Sequence, residues 1–268
     1  MESKINQAIV LAHFHQSGKL RSDTLNFLND CHNKFKRIIF VSTNILPEEL
    51  ARIPSFVECH VRENIGYDFF SYRLGLDKLR EDICRPNDDE RKIHLVTLIN
   101  TSILIFDSNK FINQYFTQGI EQLKYHFSGL TIFPIRKNLD GKLLVPPHLQ
   151  SFLLSFSHHA LSNPQVLRWW RRLYALNEKE LIIKKYEVSL SQYLAMQGYL
   201  PTAIYKRPNN FKMLDPTQEH YEEILDHYSV LKINLIKLNQ FNMNLGAINK
   251  KIAADENFKN LIIEGLEN

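Results

Sequence analysis

Phe56-Val57-Glu58-Cys59-His60-Val61-Arg62-Glu63-Asn64-Ile65-Gly66-Tyr67-Asp68-Phe69-Phe70 runs from one periodicity into another through a charged cluster. Phe56 to Val61 alternates as a strand does, whereas Phe69, Phe70, Leu74 and Leu76 recur at roughly helical spacing. Arg62 to Asp68 therefore forms a strand-to-helix loop at the carboxyl end of a strand. In open α/β sheets ligands bind at that edge, because loops and helix N-termini present backbone donors there. The plain alternative is a solvated turn in which Gly66 supplies an unusual backbone angle.

Working outward, Ala8-Ile9-Val10-Leu11-Ala12 is a continuous apolar run, the mark of a strand covered on both faces, and it stops at His13-Phe14-His15 with Gly18 following. Ser22 or Asp23 can cap a helix with apolar positions Leu25, Leu28, Cys31 and Phe35. Arg37 to Ser42 reads as a second buried strand, and Pro47-Glu48-Glu49-Leu50 opens a short helix with Pro in its first turn. Such β-α-β-α-β alternation demands a parallel sheet with helices on its faces.

Downstream, the patterns predict a helix from Phe69 to Glu81, a charged connection from Arg85 to Arg91, and a buried strand from Ile93 ending in Asn100-Thr101-Ser102. A helix through Phe111, Tyr115, Ile120 and Leu123, a strand from Leu130 to Phe133, a polar turn from Asn138 to Gly141 and an apolar run from Phe152 to Leu154 follow. From Pro164 the pattern is largely helical, apart from a short strand near Thr202 to Tyr205. The expected class is α/β, a mostly parallel central sheet flanked by helices with a helical C-terminal segment. Residues 1–243 read as one domain and 244–268 as a helical tail or linker.

With 268 residues, 44% hydrophobic and 23% charged, the chain has the composition of a soluble globular protein. The 33 basic and 29 acidic residues are too nearly balanced to argue for nucleic acid. A pI of about 8.8 still permits attraction to anionic ligands or membrane surfaces. Cys31, Cys59 and Cys84 lie far apart without metal-ligand spacing, as suits reduced thiols in a cytosolic protein. The N-terminus reads as neither signal peptide nor anchor, and the apolar stretch Ile93 to Phe106 is too short to span a bilayer. Gly-rich phosphate loops, dinucleotide fingerprints, Gly-x-Ser-x-Gly elbows and His-Glu-x-x-His helices are all missing, which argues against hydride transfer, P-loop hydrolysis and esterase chemistry.

His13-Phe14, Arg62 to Asp68, Asn100-Thr101-Ser102 and His148 to Gln150 each stand at or next to the end of an apolar strand. Parallel strands end on one edge of a sheet, so these four clusters should converge.

Arg62 to Phe69, Leu98 to Ser102, Pro147 to Phe152 and Tyr186-Glu187-Val188-Ser189-Leu190 together resemble the rhamnan synthesis protein F family of bacterial glycosyltransferases. His13-Phe14, Leu214-Asp215-Pro216-Thr217 and Val230 to Ile236 look like further family segments, so the likeness covers most of residues 8 to 243 in order. The resemblance implies a GT-A-like fold and inverting transfer of a deoxysugar, typically L-rhamnose from dTDP-L-rhamnose, onto a growing surface polysaccharide. It implies a nucleotide-sugar donor, a glycan or lipid-linked glycan acceptor, and a cytoplasmic setting at the inner face of the membrane with peripheral membrane association. The chain could also be part of a larger multidomain enzyme.

Two departures stand out. Ile132-Phe133 follows Thr131 where relatives continue with Asp, and Asn100-Thr101-Ser102 stands where many GT-A enzymes carry Asp-x-Asp. An amide and two hydroxyls suit a hard cation poorly, which favours metal-independent catalysis.

Inverting transfer needs a carboxylate to accept the acceptor's proton and a way to stabilise the leaving diphosphate. The resemblance makes Glu187 the candidate base, with Asp68 second or bonded to the nucleoside; the plain reading puts Glu187 on a helix face. His13 and Phe14 would border the nucleobase, Phe14 by stacking, against ordinary core packing. Arg62, Asn64 and Tyr67 offer donors to base, ribose or diphosphate, and Gly66 permits close approach, although Arg62 could instead pair with Glu63 or Asp68. Asn100, Thr101 and Ser102 would line the donor site, and His148 and Gln150 would touch sugar hydroxyls, unless a Pro-Pro turn merely exposes them. In Arg168-Trp169-Trp170-Arg171-Arg172 the two Trp cannot share a face, so one packs inward while the arginines meet solvent, diphosphate or an anionic membrane. Two further readings compete with the transferase: a non-catalytic nucleotide-sugar or glycan binding module, and a nucleotidyltransferase.

Overall fold

The computed structural model describes residues 5–87, 89–116, 124–134, 136–137, 143–207 and 215–267. The apolar runs form strands β1 (Gln7–His13), β2 (Arg37–Ser42), β3 (Glu58–Val61) and β4 (Leu95–Asn100). They lie side by side in the order β3-β2-β1-β4, all parallel. Leu153–Ser157 follows β4 antiparallel, then Phe127–Gly129, then Thr202–Ala203, completing a seven-stranded sheet. Only Leu153–Ser157 runs against the other six, so the expected α/β class with a mostly parallel central sheet stands.

Strand periodicity explains why β1 reads as uninterrupted hydrophobicity. Ala8, Val10 and Ala12 enter one core with Ile39, Val41 and Phe69, whereas Ile9 and Leu11 enter another with Ile38, Phe40 and Phe27. Both faces are covered, so neither can be polar. Helix Tyr67–Cys84 packs over β1 at Gly75, where a Cβ would come within 2.2 Å of Val10. A close crossing of helix on sheet requires glycine there.

Several boundaries differ from expectation. Phe56 precedes β3 and is 40% exposed, and the following helix begins at Tyr67 rather than Phe69. The strand expected over Leu130 to Phe133 is divided: Phe127–Gly129 joins the main sheet, while Ile132–Phe133 pairs with His148–Leu149. Leu130 between them is buried in the core. Ser108–Phe111 is helical and continues as one π-helical stretch, Ile112–Phe116. Ile120, Leu123 and the turn Asn138 to Gly141 lie outside the described residues.

A third apolar cluster joins Leu104 and Leu231 to Phe258 and Ile262 of the helix Glu256–Leu266. Phe258 stacks on Phe106 with ring centroids 4.0 Å apart, and Glu264 accepts from the Ser22 amide (2.6 Å) and hydroxyl (2.7 Å). The C-terminal segment is thus docked against residues from the first helix and from the stretch after β4.

Candidate functional site

The parallel strands deliver His13, Ser42, Val61 and Asn100 to one edge of the sheet. Because Leu153–Ser157 runs the other way, with Leu153 opposite Ile99, the residues that precede it reach the same edge. A reversed strand thereby brings His148, Gln150 and Ser151 to the loops of β3 and β4.

In the Arg62–Asp68 loop the guanidinium of Arg62 is spent on its own chain. It donates to the Ser71 hydroxyl at 3.0 and 2.8 Å and to the carbonyls of Glu63 (2.8 Å), Ile65 (2.6 Å) and Tyr67. Arg62 therefore shapes the loop rather than offering donors to a diphosphate. Gly66 (φ +72°) turns the chain into the helix, and a Cβ there would fall 2.2 Å from the Phe70 ring. Tyr67 also has positive φ, at 52°. Two successive left-handed residues leave Asn64 and Tyr67 exposed at the loop tip, with the Tyr67 hydroxyl 3.4 Å from the Asn177 carbonyl.

Asp68 points from the first turn of the helix toward the end of β4, where the Asn100 amide donates to one carboxylate oxygen at 2.7 Å. Among the described residues its second oxygen takes no hydrogen bond. Burial pushes the Asp68 carboxyl up to about 6; the Asn100 bond and the Arg62 charge oppose this, and the Glu187 charge adds to it. The Asn100 carbonyl accepts from the Ser102 amide (3.1 Å) and hydroxyl (2.5 Å), and Thr101 faces the Phe14 backbone. Both lone pairs of the Asn100 carbonyl are in use, so the residues in the Asp-x-Asp position do not fit a divalent cation. Among the described residues, no three His, Cys, Asp or Glu side chains gather as metal ligands.

Glu187 lies in the π-helical turn Ile183–Val188. One carboxylate oxygen accepts from the Ser151 amide (2.7 Å) and hydroxyl, and the other faces His148 Nε2 at 3.6 Å. Burial raises its pKa, but the nearby His148, the hydrogen bonds from Ser151 and the Lys232 charge outweigh that and hold it below the ordinary glutamate value. Glu187 is thus a carboxylate committed to holding the Ser151 turn, which weakens its case as proton acceptor. Tyr72 completes the group: its buried hydroxyl donates to the Ser151 carbonyl at 2.9 Å, and burial beside Asp68 and Glu187 keeps it protonated.

Other expected contacts are redirected inward. His13 is buried, with Nδ1 2.9 Å from the Ser42 hydroxyl and Nε2 3.2 Å from the Lys19 carbonyl; burial holds its pKa down at about 4. It braces the loop after β1 as a neutral imidazole rather than bordering a base, while Phe14 beside it is 40% exposed. His148 is buried between the Pro146 carbonyl (2.9 Å) and the Phe133 ring. Gln150 is buried between the Thr131 hydroxyl (2.7 Å) and Asp215 (3.2 Å), with Lys232 3.5 Å from that carboxylate. His148 and Gln150 are thus both buried and held by protein groups, His148 facing Glu187 and Gln150 fixed by Thr131 and Asp215. Below Thr101, buried Arg21 donates to the carbonyls of Thr101 (2.8 Å) and Ile103 (2.7 Å) and pairs with Asp23 at 2.9 Å.

The structure thus brings together Asp68, Asn100, Glu187 and His148, with Phe14, Asn64 and Tyr67 exposed in the loops of the same edge. Reading residues singly missed Tyr72, which looks like core, and Ser71, which looks like helix surface. Ser151, Asp215 and Lys232 carried a signal only as members of segments matched to the family. A cleft of about 570 Å³ lies elsewhere, between Asn26, Asp107, Lys251 and Phe258.

Two solved structures titled 4-diphosphocytidyl-2C-methyl-D-erythritol synthase, one of them from Anaerococcus prevotii, align with 84% of this chain and with 95% and 99% of their own. Their identities are 9% and 12% and both TM-scores are 0.44, so the fold is judged from the sheet order itself. The protein y4gN of Sinorhizobium fredii is 25% identical over 195 residues. That match takes in 71% of this chain but 46% of y4gN, so the chain spans about half the length of this relative. The family described as Rhamnan synthesis protein F matches residues 38–261, which contain Asp68, Asn100, Ser151, Glu187, Asp215 and Lys232, and the chain belongs to that family.

Proposed function

We propose that this chain is an inverting glycosyltransferase of rhamnan-type polysaccharide synthesis. It would move a deoxysugar, L-rhamnose from dTDP-L-rhamnose, onto a surface glycan acceptor at the cytoplasmic face of the membrane.

The observation that carries this reading is the pair of carboxylates whose surroundings drive their acidities apart. Asp68 is raised to about 6 and, among the described residues, keeps an oxygen without a hydrogen bond, while Glu187 is lowered, with one oxygen bonded to Ser151 and the other facing His148 at 3.6 Å. At neutral pH Asp68 is ionised yet basic enough to accept the proton of an acceptor hydroxyl. As the acceptor oxygen bonds to the sugar's anomeric carbon, the bond to the nucleoside diphosphate breaks and dTDP leaves. Asp68 is thus preferred to Glu187 as base. Phe14, Asn64 and Tyr67 are the exposed groups available to the nucleotide.

Thermal shift against a panel of nucleotide sugars, with and without chelator, tests donor and metal together. We expect dTDP-L-rhamnose to raise the melting temperature, and Asp68→Asn to abolish transfer while sparing donor binding. Absence of any nucleotide-sugar binding at millimolar concentration refutes the proposal. Tight donor binding without turnover in the unmodified chain would favour a non-catalytic binding module instead.

A further inference from the structure

The helix Pro164–Arg171 and the segment up to Lys185 carry six basic residues, Arg168, Arg171, Arg172, Lys179, Lys184 and Lys185, against two acidic ones, Glu178 and Glu180. That excess equals the +4 net charge of the entire chain. The segment thus carries a local excess of four positive charges, all on exposed side chains.

Burial sorts this segment sharply. Trp170 is 3% exposed and stacks on Phe69 at 6.1 Å, anchoring the helix over the core, whereas all six basic side chains are exposed. Among the described residues, Arg168, Arg171, Arg172 and Lys184 make no side-chain hydrogen bond or ion pair. Lys185 lies over the ring of Tyr174, and Tyr174 and Ile183 are 51% and 40% exposed among these charges. Unpaired cations with interspersed aromatic and aliphatic side chains match the headgroup region of an anionic bilayer, where cations meet lipid phosphates and apolar groups enter between them. The face also adjoins the candidate site: Tyr67 bonds to Asn177, and the Lys179 charge acts on Asp68.

We propose that the Arg168–Lys185 face docks on an anionic membrane surface and so brings the sheet-edge site to a lipid-linked acceptor. The docking stands independently of the transfer chemistry; its benefit to catalysis rests on the function proposed above. A helix long and apolar enough to cross a membrane is absent among the described residues, so attachment by this route would be peripheral and salt-sensitive.

Flotation with phosphatidylcholine vesicles, with and without about one-third phosphatidylglycerol, tests it on the full chain. We expect binding to the anionic vesicles only, weakened by raised salt and unaffected by millimolar inorganic phosphate. Replacing Arg168, Arg171, Arg172 and Lys184 by Ala should lower the partition coefficient on the order of several hundred-fold, at about fivefold per cation, with the melting temperature unchanged. Equal binding to neutral vesicles, no binding to either, or full retention by the fourfold variant overturns the proposal. Preference for an RNA or DNA duplex over the anionic vesicles would overturn it too. Donor thermal shift on the same samples separates the two readings: lost vesicle binding with intact donor binding sinks the docking alone, and the converse sinks the transfer reading alone.

Discussion

Asp68→Asn should make the protein more stable and less active at once. Folding moves the Asp68 carboxyl from 3.8 to about 6. That displacement corresponds to about 3 kcal/mol at ~1.36 kcal/mol per pKa unit. The side chain retains some contact with water, and screening reduces this to about 1–2 kcal/mol. For a carboxylate raised on folding, the folded state binds the proton more tightly. Its stabilising contribution is complete below the unfolded value and is lost as pH climbs through the folded one. Above pH 6 the native protein therefore carries an ionised group that its surroundings disfavour. Asparagine is neutral at every pH, and its carbonyl can still accept from Asn100. Thermal or urea unfolding at pH 7.5 should show a gain of about 1–2 kcal/mol, or a few degrees. The gain should shrink to about a third near pH 4.5, while transfer falls by ~10²–10⁴-fold if Asp68 is the base. Destabilisation at pH 7.5, or a gain that does not diminish toward pH 4.5, would refute the reasoning.

Glu187→Ala should destabilise the fold by about 2–3 kcal/mol in urea titrations, because the Ser151 amide and hydroxyl and His148 lose a charged acceptor. Since the Glu187 pKa is lowered on folding, its contribution is present above the ordinary glutamate value and fades as pH falls through the folded one, so the variant and parent should converge in acid. Gly66→Ala combines a left-handed backbone angle with a Cβ 2.2 Å from the Phe70 ring, and should cost roughly 2–3 kcal/mol by the same assay. An unchanged midpoint would mean that the loop takes another path. Arg21→Met leaves Asp23 buried without its partner and should lower stability by about 3–5 kcal/mol, readable as a drop in melting temperature of several degrees.

Strand and helix periodicity made the first half of the fold legible. The apolar run at Ala8 to Ala12 signals burial on both faces, and the structure divides that run between two cores. Direction was not legible: nothing in Leu153-Leu154 distinguishes an antiparallel from a parallel buried strand, since both read as apolar. The convergence of polar clusters at one edge was likewise readable from their positions after strands. What each side chain does there was not. Arg62 and His13 carry the donors of a ligand site, yet backbone carbonyls within their own loops take those donors first. The two carboxylates look alike in sequence, and their separation arises because burial prevails at Asp68 over its one bond from Asn100, whereas at Glu187 the Ser151 bonds, His148 and the Lys232 charge outweigh burial. Ser151 reaches Glu187 across 36 residues and Asn100 reaches Asp68 across 32, separations that no local pattern records.

The placement of β1 in the interior of the sheet, between β2 and β4, has a consequence for synthesis on the ribosome. Its first side is filled by residues 37–42, but its second side pairs Gln7 with Leu95 and Ala12 with Asn100. Until that later strand has left the exit tunnel, one edge of this apolar strand is open to any neighbouring chain. Nascent chains halted between these two pairings should thus be the form most prone to aggregation and most dependent on chaperones.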